Sequence, residues 1–178
     1  IIRYLVDYMK INQGGVFLLN HDKGGSPFFE MTASVAFDRR KFADKTINWG
    51  EGLIGRCGLE KETIFITDVP NDYIHITSGL GGANPGTILL VPLKSNDELF
   101  GVIELASFQI LQTYEIELVE KSAESIASTI AMVKNNIQTN KLLRETQIQA
   151  EKMAQQEEEL RQNLEEMRAT QEESDRRE

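Results

Sequence analysis

The sequence predicts an α+β fold: an antiparallel sheet of five to six strands with helices on its faces, followed by a long C-terminal coiled-coil helix. Three observations lead there. Up to about Ser107, short apolar runs alternate with Gly, Pro and Asn punctuation. From Thr113 to Glu178 there is neither Pro nor Gly, and the composition shifts toward Glu, Gln, Lys, Arg and Leu. Helical patterns stand before, within and after the strand patterns, an order that places helices on an antiparallel sheet rather than in βαβ crossovers.

Taken in order, "IIRYLVDYMK" reads as a helix over Ile1 to Lys10, followed by a strand over Gly15 to Leu19. "NHDKGG" supplies turn chemistry, since Asp and Gly tolerate positive φ, and places His21 in solvent. A second strand follows over Phe28 to Phe37. "GEGLIGRCGLEK" reads as a short helix with Leu53, Ile54 and Cys57 on one face and Gly58 suited to its C-terminal end. "ETIFITD" is the third strand. "TILLVPL" and "LFGVIELASF", joined through "KSNDE", form a closing hairpin.

Thr113 reads as the N-cap of the long helix, with Ile116 at N3, which is only half a capping box. Ile116, Val119, Ala123, Ile126, Ile130, Val133 and Ile137 recur at spacings of three and four. The first of these suit packing on the sheet, and the later ones a coiled-coil seam. Met153, Leu160, Leu164 and Met167 continue the seam with their phase displaced by one residue. The register therefore slips between about Gln138 and Gln149, where Leu142, Leu143 and Ile148 offer competing seams. A polar helix with so narrow a stripe needs a second copy, so the chain is expected to form a parallel homodimer through Ile126, Ile130, Val133, Ile137, Met153, Leu160, Leu164 and Met167. Asn140 either fixes register at a core position or sits on the surface.

The totals exclude several functions. A net charge of −9 and a pI of about 4.9 leave no basic patch to neutralise phosphates, so nucleic acid is not an expected partner. One Cys cannot form an internal disulfide and fits a reducing compartment. With two His and one Cys, no zinc-type cluster assembles. No window approaches the roughly 20 apolar residues of a membrane span, and the start lacks a basic region and a cleavage site. These features place the chain in the cytoplasm, as a piece of a longer protein that could be membrane-tethered elsewhere.

Thr67 to Gly86, "TDVPNDYIHITSGLGGANPG", separates two strand runs, whereas connections in compact domains have a median of about 4–6 residues. It carries Tyr73, Ile74, His75, Ile76 and Leu80, too apolar for a solvated linker. "DVPNDY" starts a short helical piece, and Gly79, Gly81, Gly82 and Gly86 allow bends. The segment reads as a lid resting on one sheet face. Its "SGLGGAN" misses the dinucleotide fingerprint, because Asn84 fills the last place and no helix follows.

The marks "GEGLIGR" (Gly50 to Arg56), "DVPNDY", "SGLG", "VPL" (Val91 to Leu93) and "GVIELASF" (Gly101 to Phe108) together resemble a GAF domain spanning most of Ile1 to Ile137. The tail "QEEELRQNLEEMRATQEE" is similar to the signalling helices that follow GAF domains in bacterial sensor histidine kinases and chemoreceptor-like proteins. The resemblance implies residues 1–112 as the sensory core, 113–137 as the last domain helix entering the dimer seam, and 138–178 as the signalling coiled coil. It also implies that the long connection closes a small-molecule pocket, with Trp49, Tyr73, His75, Ile76, Leu80 and Glu104 as candidate lining residues.

Each candidate has a plainer role beside it. Core packing is the plainer role for Phe37, while Trp49 suits the core or the cavity equally well. His75 would be a haem ligand only in a haem-binding relative, and an exposed loop His is the simpler reading. Glu104 shares a face with Val102 and Ala106, and must meet a ligand or hydrogen-bond near the long connection. Cys57 does not precede a His as bilin-attaching cysteines do, so it reads as a small apolar residue of its helix. The absence of a second Cys also argues against the GAF-fold methionine sulfoxide reductases. The signature of cyclic-nucleotide GAF domains is missing as well. The cofactor therefore stays unknown, and no nucleophile–base pair suggests an enzyme. The expected function is a sensory domain of a two-component or chemotaxis-type protein that relays pocket state through the coiled coil to an output domain. The alternative is a ligand-free dimerisation and relay module.

Overall fold

The structure, a computed structural model, describes residues 1–21, 24–36, 39–40, 46–69, 76–78 and 81–175. The chain divides into two compact units, Ile1–Met132 and Val133–Glu178.

The first unit opens with helix α1 (Ile2–Tyr8) and then strands β1 (Gln13–His21) and β2 (Pro27–Ala36). Two short strands follow, β3 (Arg39–Arg40) and β4 (Thr46–Asn48), then helix α2 (Gly52–Glu60) and strand β5 (Ile64–Ile66). A small hairpin, β6 (Ile76–Ser78) with β7 (Gly81–Ala83), precedes the long strands β8 (Thr87–Ser95) and β9 (Glu98–Ser107). Helix α3 begins at Thr113 and runs to Asp175. The main sheet is antiparallel in the order β3-β2-β1-β9-β8-β5, with β4 also on β2. Among the described residues the five expected strands are present, as are the first helix, the short helix before the third strand and the long C-terminal helix. β3 and β4, too short to show a period in sequence, raise the strand number to seven.

Two β-bulges decide which side chains face which helix. Val16 pairs with Ala33 but Phe17 with Met31, so Thr32 is an extra residue in β2. Leu93 pairs with Gly101 but Lys94 with Leu99, so Phe100 is an extra residue in β9. A bulge shifts the alternation of its strand by one. Accordingly Ala33 and Val35 face one side of the sheet while Phe29 and Met31 face the other.

The sheet separates two cores. On one face α1 (Ile2, Leu5, Val6) and α3 (Val119, Ala123, Ala127) cover Leu89, Val91, Ile103 and Leu105. On the other, α2 (Ile54, Cys57) covers Phe17, Phe29, Ile88, Leu90 and Val102. Gly58 explains how closely α2 docks, because a Cβ there would overlap the Phe29 ring. Gly58 is thus a contact residue and not the helix cap expected of it. The cap is Lys61, left-handed at φ 54°, whose N–H bonds the Cys57 carbonyl at 2.9 Å.

Three smaller expectations are also corrected. The long helix is capped one residue earlier than Thr113: the Glu115 carboxylate accepts the Gln112 N–H at 2.7 Å, and the Ile116 N–H donates to the Gln112 carbonyl. β5 keeps only three of the residues expected for the third strand. Gly81 and Gly82 lie in β7 rather than at bends. Phe37, the expected end of the second strand, lies outside the described residues, as does the "PNDY" part of the expected helical piece.

In the second unit, Val133 to Gln171 is exposed throughout, and its apolar side chains meet water. Among the described residues no helix is long and apolar enough to cross a membrane.

Candidate functional site

The face of the sheet that carries α2 also packs Val69, near the start of the 67–86 connection. Alternation along β9 puts Glu104 on this face between Val102 and Ala106, both of them core residues there. Glu104 is 8% exposed, a carboxylate almost withdrawn from water. In the row across the strands it is flanked by Gly15 on β1 and Leu90 on β8, with Ile64 of β5 beyond. Gly15 brings no side chain to that row, and the Phe17 ring leans over it, 3.0 Å from where a Cβ would stand. A carboxylate with a glycine on one side and an aliphatic residue on the other is a polar point on an apolar floor. A polar group on such a floor is what a small-molecule site would use to orient its ligand.

Trp49 stands at the rim of the same core, half-buried and stacked on Phe29 with centroids 5.7 Å apart and planes 8° apart. The turn that holds it is fixed by Glu51, whose carboxylate accepts from the Asn48 backbone N–H (3.1 Å) and side-chain amide (2.8 Å). Val69 packs on this core, and Pro85, at the far end of the connection, is buried. The backbone of β6 and β7 pairs Ile76 with Ala83 and Ser78 with Gly81, which folds this part of the connection back on itself. Tyr73, His75 and Leu80 lie outside the described residues, and of Ile76 only the backbone is described. Trp49 and Glu104 thus share one core face.

Cys57 is fully buried in that core and donates its S–H to the Glu62 carbonyl at 3.3 Å. Burial, and then the nearby Glu60 carboxylate, push its thiol up to about 12. A thiol held so far from ionisation is a packing group, not a nucleophile. His21, at the end of β1, is exposed. Among the described residues no group of three His, Cys, Asp or Glu side chains is placed to hold a metal ion.

Of the expected seam residues, Ile126 and Ile130 are half-buried against the α3-side core of the first unit. Ile126 also lines a cavity of about 200 Å³ between α1 and the sheet, with Val16, Val35 and Ile103. Val133, Ile137, Met153, Leu160, Leu164 and Met167 are all more than half exposed.

An antiparallel sheet with helices on both faces and a long connection between two of its strands defines a class of α+β domain. A family model described as "GAF domain" matches residues 1–131, and the chain belongs to the GAF domain family. The GAF domain of a phosphoenolpyruvate-protein phosphotransferase from Coxiella burnetii has a TM-score of 0.60 at 20% identity, over 76% of this chain and 80% of that one. The GAF domain of a two-component sensor histidine kinase from Bacillus halodurans has a TM-score of 0.55 at 17% identity, over 76% and 94%. A type II free methionine-R-sulfoxide reductase from Thermoplasma acidophilum has a TM-score of 0.56 at 20% identity, over 71% and 84%. At such identities the likeness establishes the fold alone. A search of curated proteins returns no match.

Proposed function

We propose that the chain is a sensory, small-molecule-binding GAF domain of a bacterial signal-transduction protein, joined to the coiled coil that carries its signal. The observation that carries this reading is Glu104, a carboxylate 8% exposed on an apolar sheet face beside the side-chain-free Gly15. A buried carboxylate has to be held by its surroundings, and one held in place on an apolar face is a fixed polar point from which a small ligand could be oriented. Trp49, Tyr73, His75, Ile76, Leu80 and Glu104 line the pocket, and the 67–86 connection is its lid. The ligand favours one arrangement of the lid, and its differential affinity for the two arrangements sets the size of the signal. The output passes along α3 to a homodimeric, parallel coiled coil and from there to an output domain. The sensor-kinase neighbour is consistent with such a use. The single Cys, buried and far from ionisation, supports a regulatory rather than a reductase role.

Native mass spectrometry of the 178-residue chain purified from cells tests this. The expected result is a dimer carrying extra mass per chain that leaves on denaturation and is lost in Glu104→Gln and Trp49→Ala. A bare polypeptide whose melting no small molecule in a metabolite panel raises would overturn ligand sensing in favour of a relay module.

A further inference from the structure

The two cores lie on opposite faces of the sheet, so a change on the α2 face must pass the sheet to reach α3. We infer that Thr63 and Glu120 form the mechanical link that carries it around the sheet edge. Thr63 Oγ1 donates to Glu120 Oε1 at 2.5 Å, joining the strand that enters the 67–86 connection to the second turn of α3. β5 is the last strand of the sheet, so the chain just before it is free to turn around the edge. The pairing of Ile64 with Leu90 would continue, two residues on, at Pro92, which has no N–H to extend a ladder. The corner of residues 61–63 therefore leaves the sheet and points its threonine at the helix.

Both ends of the link are anchored. The Lys61 carbonyl accepts from Lys94 Nζ at 3.0 Å, and Lys61 Nζ donates to the Asp97 carbonyl at 2.6 Å, which ties the corner to the β8–β9 hairpin. Glu120 follows Val119, fully buried against the sheet. Between the anchors lies a cavity of about 230 Å³ lined by Thr63, Val91, Pro92, Lys94 and Glu120 among others. The link thus spans space rather than packed core, and the corner can shift without breaking close packing, as a two-state element needs. Its use in signalling rests on the sensory reading above, but the link itself stands without a ligand.

Backbone hydrogen exchange on the full chain tests it, with Thr63→Val, Thr63→Ser and Glu120→Ala. Losing a hydrogen bond to a charged group should speed exchange ~10-fold in both 67–86 and 116–127 in Thr63→Val and Glu120→Ala. Thr63→Ser, which keeps the hydroxyl, should match the wild type, and the double variant should add nothing to either single one. Should Thr63→Val lose its fold, Glu120→Ala, altered on a half-exposed helix position, reads the same contact. Faster exchange in only one of the two segments, or in neither, would overturn the link. A chain that binds no ligand would still give this pattern, so the link and the sensory reading fail separately.

Discussion

Cys57 shows how a residue's surroundings settle its chemistry. Its thiol is withdrawn from water beneath α2 and faces the negative charge of Glu60, and both effects oppose the thiolate. Because the folded state keeps the proton up to about 12 while the unfolded thiol releases it near 9.0, this group's stabilising effect is complete below pH 9. It is lost as pH rises from there to about 12. Ellman's reagent at pH 8 should find no reactive thiol in the native chain and one after denaturation. The melting temperature of the wild type should fall more steeply between pH 9 and 12 than that of Cys57→Ala, and the difference between them isolates this group from Lys and Tyr titrations. A native thiol that reacts within minutes would mean that the α2 core opens readily. The inward position of Cys57 was legible from helical spacing, as was the face of Glu104 from the alternation of Val102 and Ala106. The glycine beside Glu104 was not, because Gly15 reaches it only through pairing across the sheet.

At the level of elements, α3 follows its periodicity, and that periodicity exposes a gap in the seam. Met153 and Leu160 are seven residues apart, and the heptad position between them is filled by Glu157. In a parallel dimer Glu157 would meet its own copy at a core position, a like-charge pair partly removed from water. Glu157→Leu should tighten the dimer by about tenfold or more, the scale of burying one Leu side chain per chain. Sedimentation equilibrium of the two proteins measures this, and unchanged dimerisation would put Glu157 outside the seam. Legibility follows the same logic elsewhere. Long runs such as β8 and β9 declared themselves through β-branched and aliphatic content, and their turn through Asn96 and Asp97, both at positive φ in the structure. The bulges at Thr32 and Phe100 did not, since an extra residue is visible only against its partner strand. Gly58 looked like a cap because helices often end in glycine, and only the approach of Phe29 from β2 shows why it is small. Thr63 and Glu120 carry no local signal at all, for their contact joins distant parts of the chain.

Across the whole molecule, folding and assembly divide between the two units. Both hydrophobic cores draw on residues no later than Ala131, so the first unit contains everything its own stability requires. Among its described residues the second has no core of its own. It holds surface pairs such as Arg161 with Glu158 at 2.9 Å and with Glu165 at 3.4 Å. Such fully exposed pairs are screened by water and too weak to hold a lone helix. A chain ending at Met132 should therefore keep the Trp49 near-ultraviolet signal and a cooperative melt but sediment as a monomer. A peptide of residues 133–178 should show helical circular dichroism that grows with concentration as copies pair. The full chain should be a dimer whose helical signal exceeds the sum of the two pieces at equal, low micromolar concentration, because α3 runs unbroken from the folded unit into the tail and its costly first turns are already formed there. If the chain ending at Met132 dimerises as tightly as the full one, the assembly surface lies in the domain itself. In that case the exposed stripe from Val133 onward serves a partner other than a second copy.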